Sequence, residues 1–408
     1  MARGPLLLRD RDMLLVWSGQ SLSQAGTRLY QIALAWWIVS RGGGGREVGL
    51  FMAAGALPAL LLIGAVGRVV DRTSSRRVLV LCDLAAFAVS LCAALAFRYG
   101  RFGFWGACLA GLLLAAAQAF FDPALNKAVS EAAAPEDLEE AVSLQSSTQS
   151  LASFGGAVAG ALLIDRLGVL GCMLLNAFSF GLSAWANAML RLPRAAKGPP
   201  SQEPPHPGDG GFLAGWDALE RTPWLRQALL GFGCVNFFLT PILVVLPLYA
   251  SRTLGGGASL LGWLEAAVWV GILAGTFSSG RVPSGGNTLR LGGFCMLAMA
   301  AGLALPGLIV HTGLFLAGLF CAGCALGVNN VKFVTLFQER VSPQRKGSFF
   351  ALMQALLTFT FPAAFLLFGL LAERISPPGV CLVQAAGIAA LSLFFFRLST
   401  ISGVKIEW

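Results

Sequence analysis

Apolar runs follow one another along almost the whole chain, parted by short polar intervals. They lie near 13–39, 48–66, 78–97, 103–126, 141–164 and 168–190, and again near 225–250, 259–279, 289–310, 313–336, 348–371 and 379–397. Each approaches or exceeds the ~20 residues that a helix needs to cross a bilayer core of about 30 Å. The pattern therefore predicts an all-α integral membrane protein with twelve transmembrane helices. One interval is different: residues 193–222 are polar and carry Pro199, Pro200, Pro204, Pro205 and Pro207, a composition that favours an extended linker. It divides the chain into a six-helix bundle over 1–192 and a second six-helix bundle over 223–408.

The two bundles read as a repeat. Moving the second back by 208 positions places Glu339 on Glu131, Pro343 on Pro135, Leu352 on Leu144, Glu373 on Asp165, Arg374 on Arg166 and Asn330 on Asp122. With a slip of one residue, Gly280-Arg281 falls on Asp71-Arg72, so the second copy of that loop has lost its acid. Internal duplication with binding near the bilayer midplane is a common plan among secondary transporters.

Composition sharpens the class. The chain is 56% hydrophobic and 12% charged, against about 25% charged in soluble globular proteins. The net charge of +9 is not a nucleic-acid footprint, because about 20 of the Lys and Arg fall on one side of the expected membrane and about seven on the other. The richer side is the cytoplasmic one, which puts both termini in the cytoplasm of a multi-pass cell inner membrane protein. The amino terminus leads into a run too long for a signal-peptide core, so no cleaved signal is expected.

Enzyme chemistry has little to work with. The two histidines are His206, in the linker, and His311, at an outer helix end, so a buried Ser-His or metal-His centre is hard to assemble. No Gly-x-x-x-x-Gly-Lys-Ser/Thr phosphate loop is present. Cys321-Ala322-Gly323-Cys324 has metal-ligand spacing but no second pair, and Cys within a span behaves as a small apolar residue. No catalytic residue, metal or cofactor is expected.

Chemistry concentrates where charge and polarity interrupt the spans. In the first span Gln20, Gln24, Thr27 and Gln31 recur at helical steps with Arg28 beside them. Such a face must look into protein or water. Arg28 lies about 15 residues into its span, roughly 22 Å at the rise of a helix, where a guanidinium costs several kcal/mol unless paired or hydrated. Two roles are open to it, substrate recognition or a fixed ion pair with a partner such as Glu265. Glu265, two turns inside the eighth span, is itself a candidate for coupling to protons. Asp83 in the third span is either a coupling carboxylate or the partner of the arginines that precede it. Gln118, Asn176, Asn236, Thr240, Gln354 and Thr358 are further candidate cavity residues, with interhelical hydrogen bonding the default role for such groups. Gly155, Gly156 and Gly160 offer a small-residue face for close helix packing. Pro58, Pro241 and Pro247 are candidate deformation points.

Between the second and third runs stands Gly67-Arg68-Val69-Val70-Asp71-Arg72-Thr73-Ser74-Ser75-Arg76-Arg77. This stretch resembles the loop between the second and third spans of the major facilitator superfamily. The resemblance extends to Phe121-Asp122-Pro123-Ala124 and Pro135-Glu136-Asp137-Leu138, to Phe337-Gln338-Glu339-Arg340-Val341-Ser342-Pro343 followed by Gly347, and to Pro362. Together these look like the branch that holds macrolide efflux proteins and the enterobactin exporter. The chain departs from that branch at Gly26-Thr27, where relatives commonly have Gly-Asp, at Ser348 in place of Arg, and at Gly155-Gly156 in place of Gly-Pro.

The resemblance implies a secondary active transporter whose halves rock about a midplane site, moving an amphipathic small molecule out of the cell. It implies a gating set of Gly67, Asp71, Arg72, Arg76, Arg77, Asp122, Gly155 and Gly160, with Asp71 meeting the amino end of the eleventh helix at Gly347–Phe349. The substrate set is Gln24, Arg28, Gln31, Gln118, Asn236, Glu265, Gln354 and Thr358, and the coupling candidates are Asp83 and Glu265. The expected partners are an amphipathic or lipid-like substrate with anionic character, the bilayer, and protons as the candidate coupling ion, acting on a monomer with no nucleic acid. The alternatives are a carrier of lysophospholipid or another lipid, and a non-transporting receptor that keeps the fold.

Overall fold

The computed structural model describes residues 10–134, 137–191, 223–284, 287–341 and 346–401. The linker 193–222, Pro135 and Pro343 lie outside them. The described chain is all-α. Its helices are α1 (Arg11–Ser40), α2 (Gly45–Leu61), α3 (Ile63–Arg72), α4 (Ser75–Arg98), α5 (Phe104–Ala132), α6 (Leu138–Ala188), α7 (Pro223–Leu239), α8 (Ile242–Leu248), α9 (Ala258–Ser278), α10 (Thr288–Leu308), α11 (Thr312–Arg340), α12 (Lys346–Arg374) and α13 (Pro377–Ile401).

Among the described residues nine helices are long and apolar enough to cross a membrane, or ten when α2 and α3 count as one bent span. Helix α1, 30 residues long, falls outside that count, its apolar run being interrupted by Gln20, Gln24, Arg28 and Gln31. Helix α6 is really two, because Gly168 has φ 64°, a left-handed conformation that breaks the helix and that glycine adopts without steric cost. These three features account for the difference from the twelve segments expected. The bend between α2 and α3 is 57° and falls at Leu62, one turn beyond Pro58, which leaves the ladder one donor short. The seventh span breaks at Pro241, which caps α8, and after Pro247 it runs on as a π turn over Tyr249–Thr253.

By contacts the chain forms two compact units. The first holds Met1–Gly43, Leu50–Ser201 and Gly257–Gly262, and the second holds Gly44–Gly49, Gln202–Gly256 and Trp263–Trp408. In the first, α1 starts where the Asp10 carboxylate accepts the N–H groups of Asp12 and Met13 at 2.8 and 3.2 Å, satisfying donors that a helix start leaves open. It then packs along α6, which also carries α4. Gly156 permits the approach: a β-carbon there would come 2.6 Å from Cβ of Arg28. Gly160 sits against Ile32, whereas Gly155 faces open space, so the expected small-residue face is Gly156 and Gly160, and Gly155 is not part of it.

In the second unit α10 packs on α11 and α13, and α7 on α12 and α13. Helices α9 and α11 meet through two small-residue pairs, Gly271/Gly275 and Gly323/Gly327, with a β-carbon on Gly271 only 3.0 Å from Cα of Gly323. Cys324 lies in this crossing, its backbone against Gly275, which gives the Cys-x-x-Cys stretch a packing role. Phe232, Phe333, Phe337, Phe349 and Phe395 fill the core with ring centroids 5.2–6.1 Å apart, at separations where edge and offset contacts add to burial.

Candidate substrate and gating site

The polar stripe of α1 divides along its length. Gln20 is buried, at 2% exposure, with Ser23 beside it, while Gln24, Thr27, Arg28 and Gln31 are half-buried. Thr27 turns its hydroxyl back onto the Ser23 carbonyl at 2.8 Å. Arg28 donates from Nη1 to Oε1 of Gln31 at 3.0 Å, a bond along one helix face that holds the guanidinium in a defined orientation. On α5, Gln118 donates to the Asp122 carboxylate one turn on.

Asp83 is buried at 2% exposure, among neutral hydrogen-bond donors. Oδ2 accepts from Ser183 Oγ and from Asn187 Nδ2, each at 2.8 Å. These are neutral donors on α6, four residues apart and therefore on one face. The arginines of the preceding loop are not its partners: Arg76 donates to the Ala188 carbonyl, and Arg72 and Arg77 are exposed. Asn176 is fully buried and donates to Ser90 Oγ at 3.2 Å, tying α6 to α4.

The basic loop is anchored from several sides. Helix α3 buries Val66 and Val70, one turn apart, in a cluster with Met13, Leu79, Phe121 and Leu125, and so turns Arg68, Asp71 and Arg72 outward. Lys127 of α5 donates from Nζ to the carbonyls of Val70 and Thr73 at 2.8 and 3.1 Å. An ammonium there satisfies open carbonyls at the negative end of α3. Ser75 donates to Glu131 of α5. Asp71 is exposed and makes no hydrogen bond or ion pair among the described residues. Gly67 has room for a side chain, with nothing within 4 Å of a β-carbon built there.

Sequence reasoning missed Lys127, Glu131 and the Ser183/Asn187 pair. The i, i+4 spacing of Ser183 and Asn187 inside an apolar run was a visible signal, and so was a lysine at the end of the fourth run. In the second unit Glu265 is 3% exposed. Asn236 donates to the Phe232 carbonyl of its own helix at 3.0 Å, Gln354 is exposed and Thr358 is half-buried.

Comparison with known proteins agrees with this architecture. The sequence profile of the Major Facilitator Superfamily matches residues 16–364. Macrolide efflux protein A of Streptococcus pyogenes is 22% identical over 362 residues, 88% of this chain and 89% of that protein. The multidrug efflux pump Tap of Mycolicibacterium fortuitum is 28% identical over 282 residues, 67% of this chain and 66% of the pump. Among solved structures, a bacterial homologue of the iron transporter ferroportin in its inward-facing state superposes with a TM-score of 0.74 at 16% identity, over 97% of this chain and 99% of that one.

Proposed function

The chain belongs to the major facilitator superfamily, and from that premise we propose that this multi-pass transporter exports an amphipathic small molecule with anionic or electron-rich character by alternating access. The observation that carries the reading is the Arg28–Gln31 pair in α1. A guanidinium held in a bilayer-spanning helix is costly, and its planar fork matches a carboxylate or phosphate in two hydrogen bonds. Gln24 and Gln118 are the further candidate polar contacts within the first unit, and Asn236, Glu265, Gln354 and Thr358 are those proposed for the second. The efflux relatives support the outward direction of transport. Family and fold point to a transporter and not an enzyme.

A thermal-shift screen of the purified protein contrasting macrolides, siderophores and lysolipids tests the substrate class, because a ligand that prefers the folded state raises apparent stability. Flux of the selected compound into proteoliposomes then tests transport. Stabilisation by lysolipids alone would turn the assignment to a lipid carrier. Binding without flux would leave a receptor.

A further inference from the structure

Within the second unit α10 begins where α13 finishes, and the two helices are tied together there. Asn287, which caps α10 by accepting the N–H of Arg290 at 3.1 Å, donates to the Ser399 carbonyl of α13 at 3.2 Å. Two turns deeper along α13, the Ser392 hydroxyl donates to the Gly293 carbonyl at 2.7 Å, and a β-carbon on Gly293 would stand 2.8 Å from the ring of Phe396. The seam is fixed at two levels, so the residues on either side of it are held in register.

The outward side of this seam joins cations to exposed rings. Phe294 stands edge-on to Phe396 with ring centroids 5.0 Å apart, yet it is 52% exposed. The guanidinium of Arg290, one turn nearer the start of α10, lies 6.0 Å from the Phe294 ring centroid, at the limit where a cation still feels the ring quadrupole. On α13, Leu393 and Arg397 are one turn apart on one face, and both are exposed. The arginines thus sit near the helix ends, with aromatic and aliphatic surface one turn deeper. That is the order of headgroup and acyl chain in a bilayer leaflet.

Two further observations set the patch apart from ordinary interfacial charge. No Asp or Glu occurs in α10 or α13, and neither guanidinium makes a hydrogen bond or ion pair among the described residues. The internal repeat places Arg290 on Cys82, Phe294 on Ala86, Phe396 on Ala188 and Arg397 on Met189. The first unit packs α4 on α6 with none of these four side chains, so the helix pair does not need them in order to form.

We propose that this face holds one anionic phospholipid, its phosphate between Arg290 and Arg397 and an acyl chain over Phe294 and Phe396. Guanidinium forks meet phosphate oxygens in paired hydrogen bonds, and charge asymmetry assigns this end to the cytoplasmic leaflet, where anionic lipid attracts basic residues. The lipid is a fixed companion of the second bundle and not its cargo. The proposal rests on the chain spanning a bilayer, and is independent of which solute it carries.

Native mass spectrometry of the full-length protein, released from detergent micelles that carry equal amounts of phosphatidylglycerol and phosphatidylcholine, counts the lipids retained. The wild-type chain is expected to keep one phosphatidylglycerol in preference to phosphatidylcholine. Arg290→Gln and Arg397→Gln should each lower that preference about five-fold, and the double variant should abolish it. Arg340→Gln, which removes an exposed arginine at the end of α11, should leave it unchanged. An intact thermal transition in each variant separates loss of the lipid from misfolding. A wild-type chain without headgroup preference would overturn the proposal, as would a double variant that retains the lipid like wild type. Equal losses from Arg290→Gln and Arg340→Gln would overturn it too, by showing that diffuse interfacial charge and not this face selects the lipid.

Discussion

Arg28 and Asp83 pose opposite problems at the residue scale. The guanidinium of Arg28 is oriented by Gln31, and a lysine in its place would keep the charge but lose the fork. Arg28→Lys is expected to weaken binding of an anionic substrate about tenfold, or ~1.4 kcal/mol, with Arg28→Ala weaker still and expression retained; titration of the purified variants measures this. Restored transport in Arg28→Ala/Glu265→Ala, where each single change abolishes it, would assign the two charges to a structural pair. Asp83 accepts from Ser183 and Asn187, and a carboxylate held by neutral donors can exchange a proton without breaking an ion pair. We therefore expect Asp83→Asn to leave substrate counterflow intact while abolishing accumulation driven by an imposed pH gradient. Gradient-driven accumulation that survives the change would return Asp83 to packing between α4 and α6. The sequence showed that a carboxylate lay in the third span but not which groups faced it, because its partners are 100 and 104 residues away.

Helix α3 is amphipathic, with Val66 and Val70 buried and its charges outside, and its last turn is held by Lys127. Lys127→Met keeps much of the aliphatic stem and removes both bonds to the carbonyls of Val70 and Thr73. It is expected to cost about 1–2 kcal/mol, read as a lower midpoint in thermal unfolding. Faster trypsin cleavage at Arg72, Arg76 or Arg77 in inverted vesicles should accompany it. Asp71 belongs to a different argument, since it is displayed by this anchored turn and has no partner among the described residues. If it caps the amino end of α12 in another state of the cycle, Asp71→Asn removes a contribution of roughly 0.3–1 kcal/mol and raises cytoplasmic accessibility; unchanged accessibility and transport would reduce the loop to a topology signal. Periodicity made α3 readable only as the tail of the second span. The 57° bend at Leu62 depends on how Val66 and Val70 find the cluster formed by α1, α4 and α5.

For the whole molecule, charge asymmetry predicts that both termini and the linker face the cytoplasm. Impermeant maleimide applied to sealed, right-side-out cells should label cysteines introduced near Gly44 and Gly256 and spare those placed at 199–207; labelling of the linker would invert every assignment of sides. The all-helical membrane class, the positions of the spans and the family were all legible in the chain by itself. Bilayer thickness sets the length of an apolar run, and backbone hydrogen bonds must be met within each segment when no water is present. Spacing also carried the repeat, including the register that aligns Asp165 with Glu373. What each polar residue does was decided by the tertiary structure, since partners in a bundle are chosen by helix rotation and crossing. Thus Gly156 and not Gly155 meets α1, Asn176 closes on Ser90, and Lys127 becomes the clasp of α3. Local pattern determines which segments enter the membrane, and packing among them determines which of their polar groups meet.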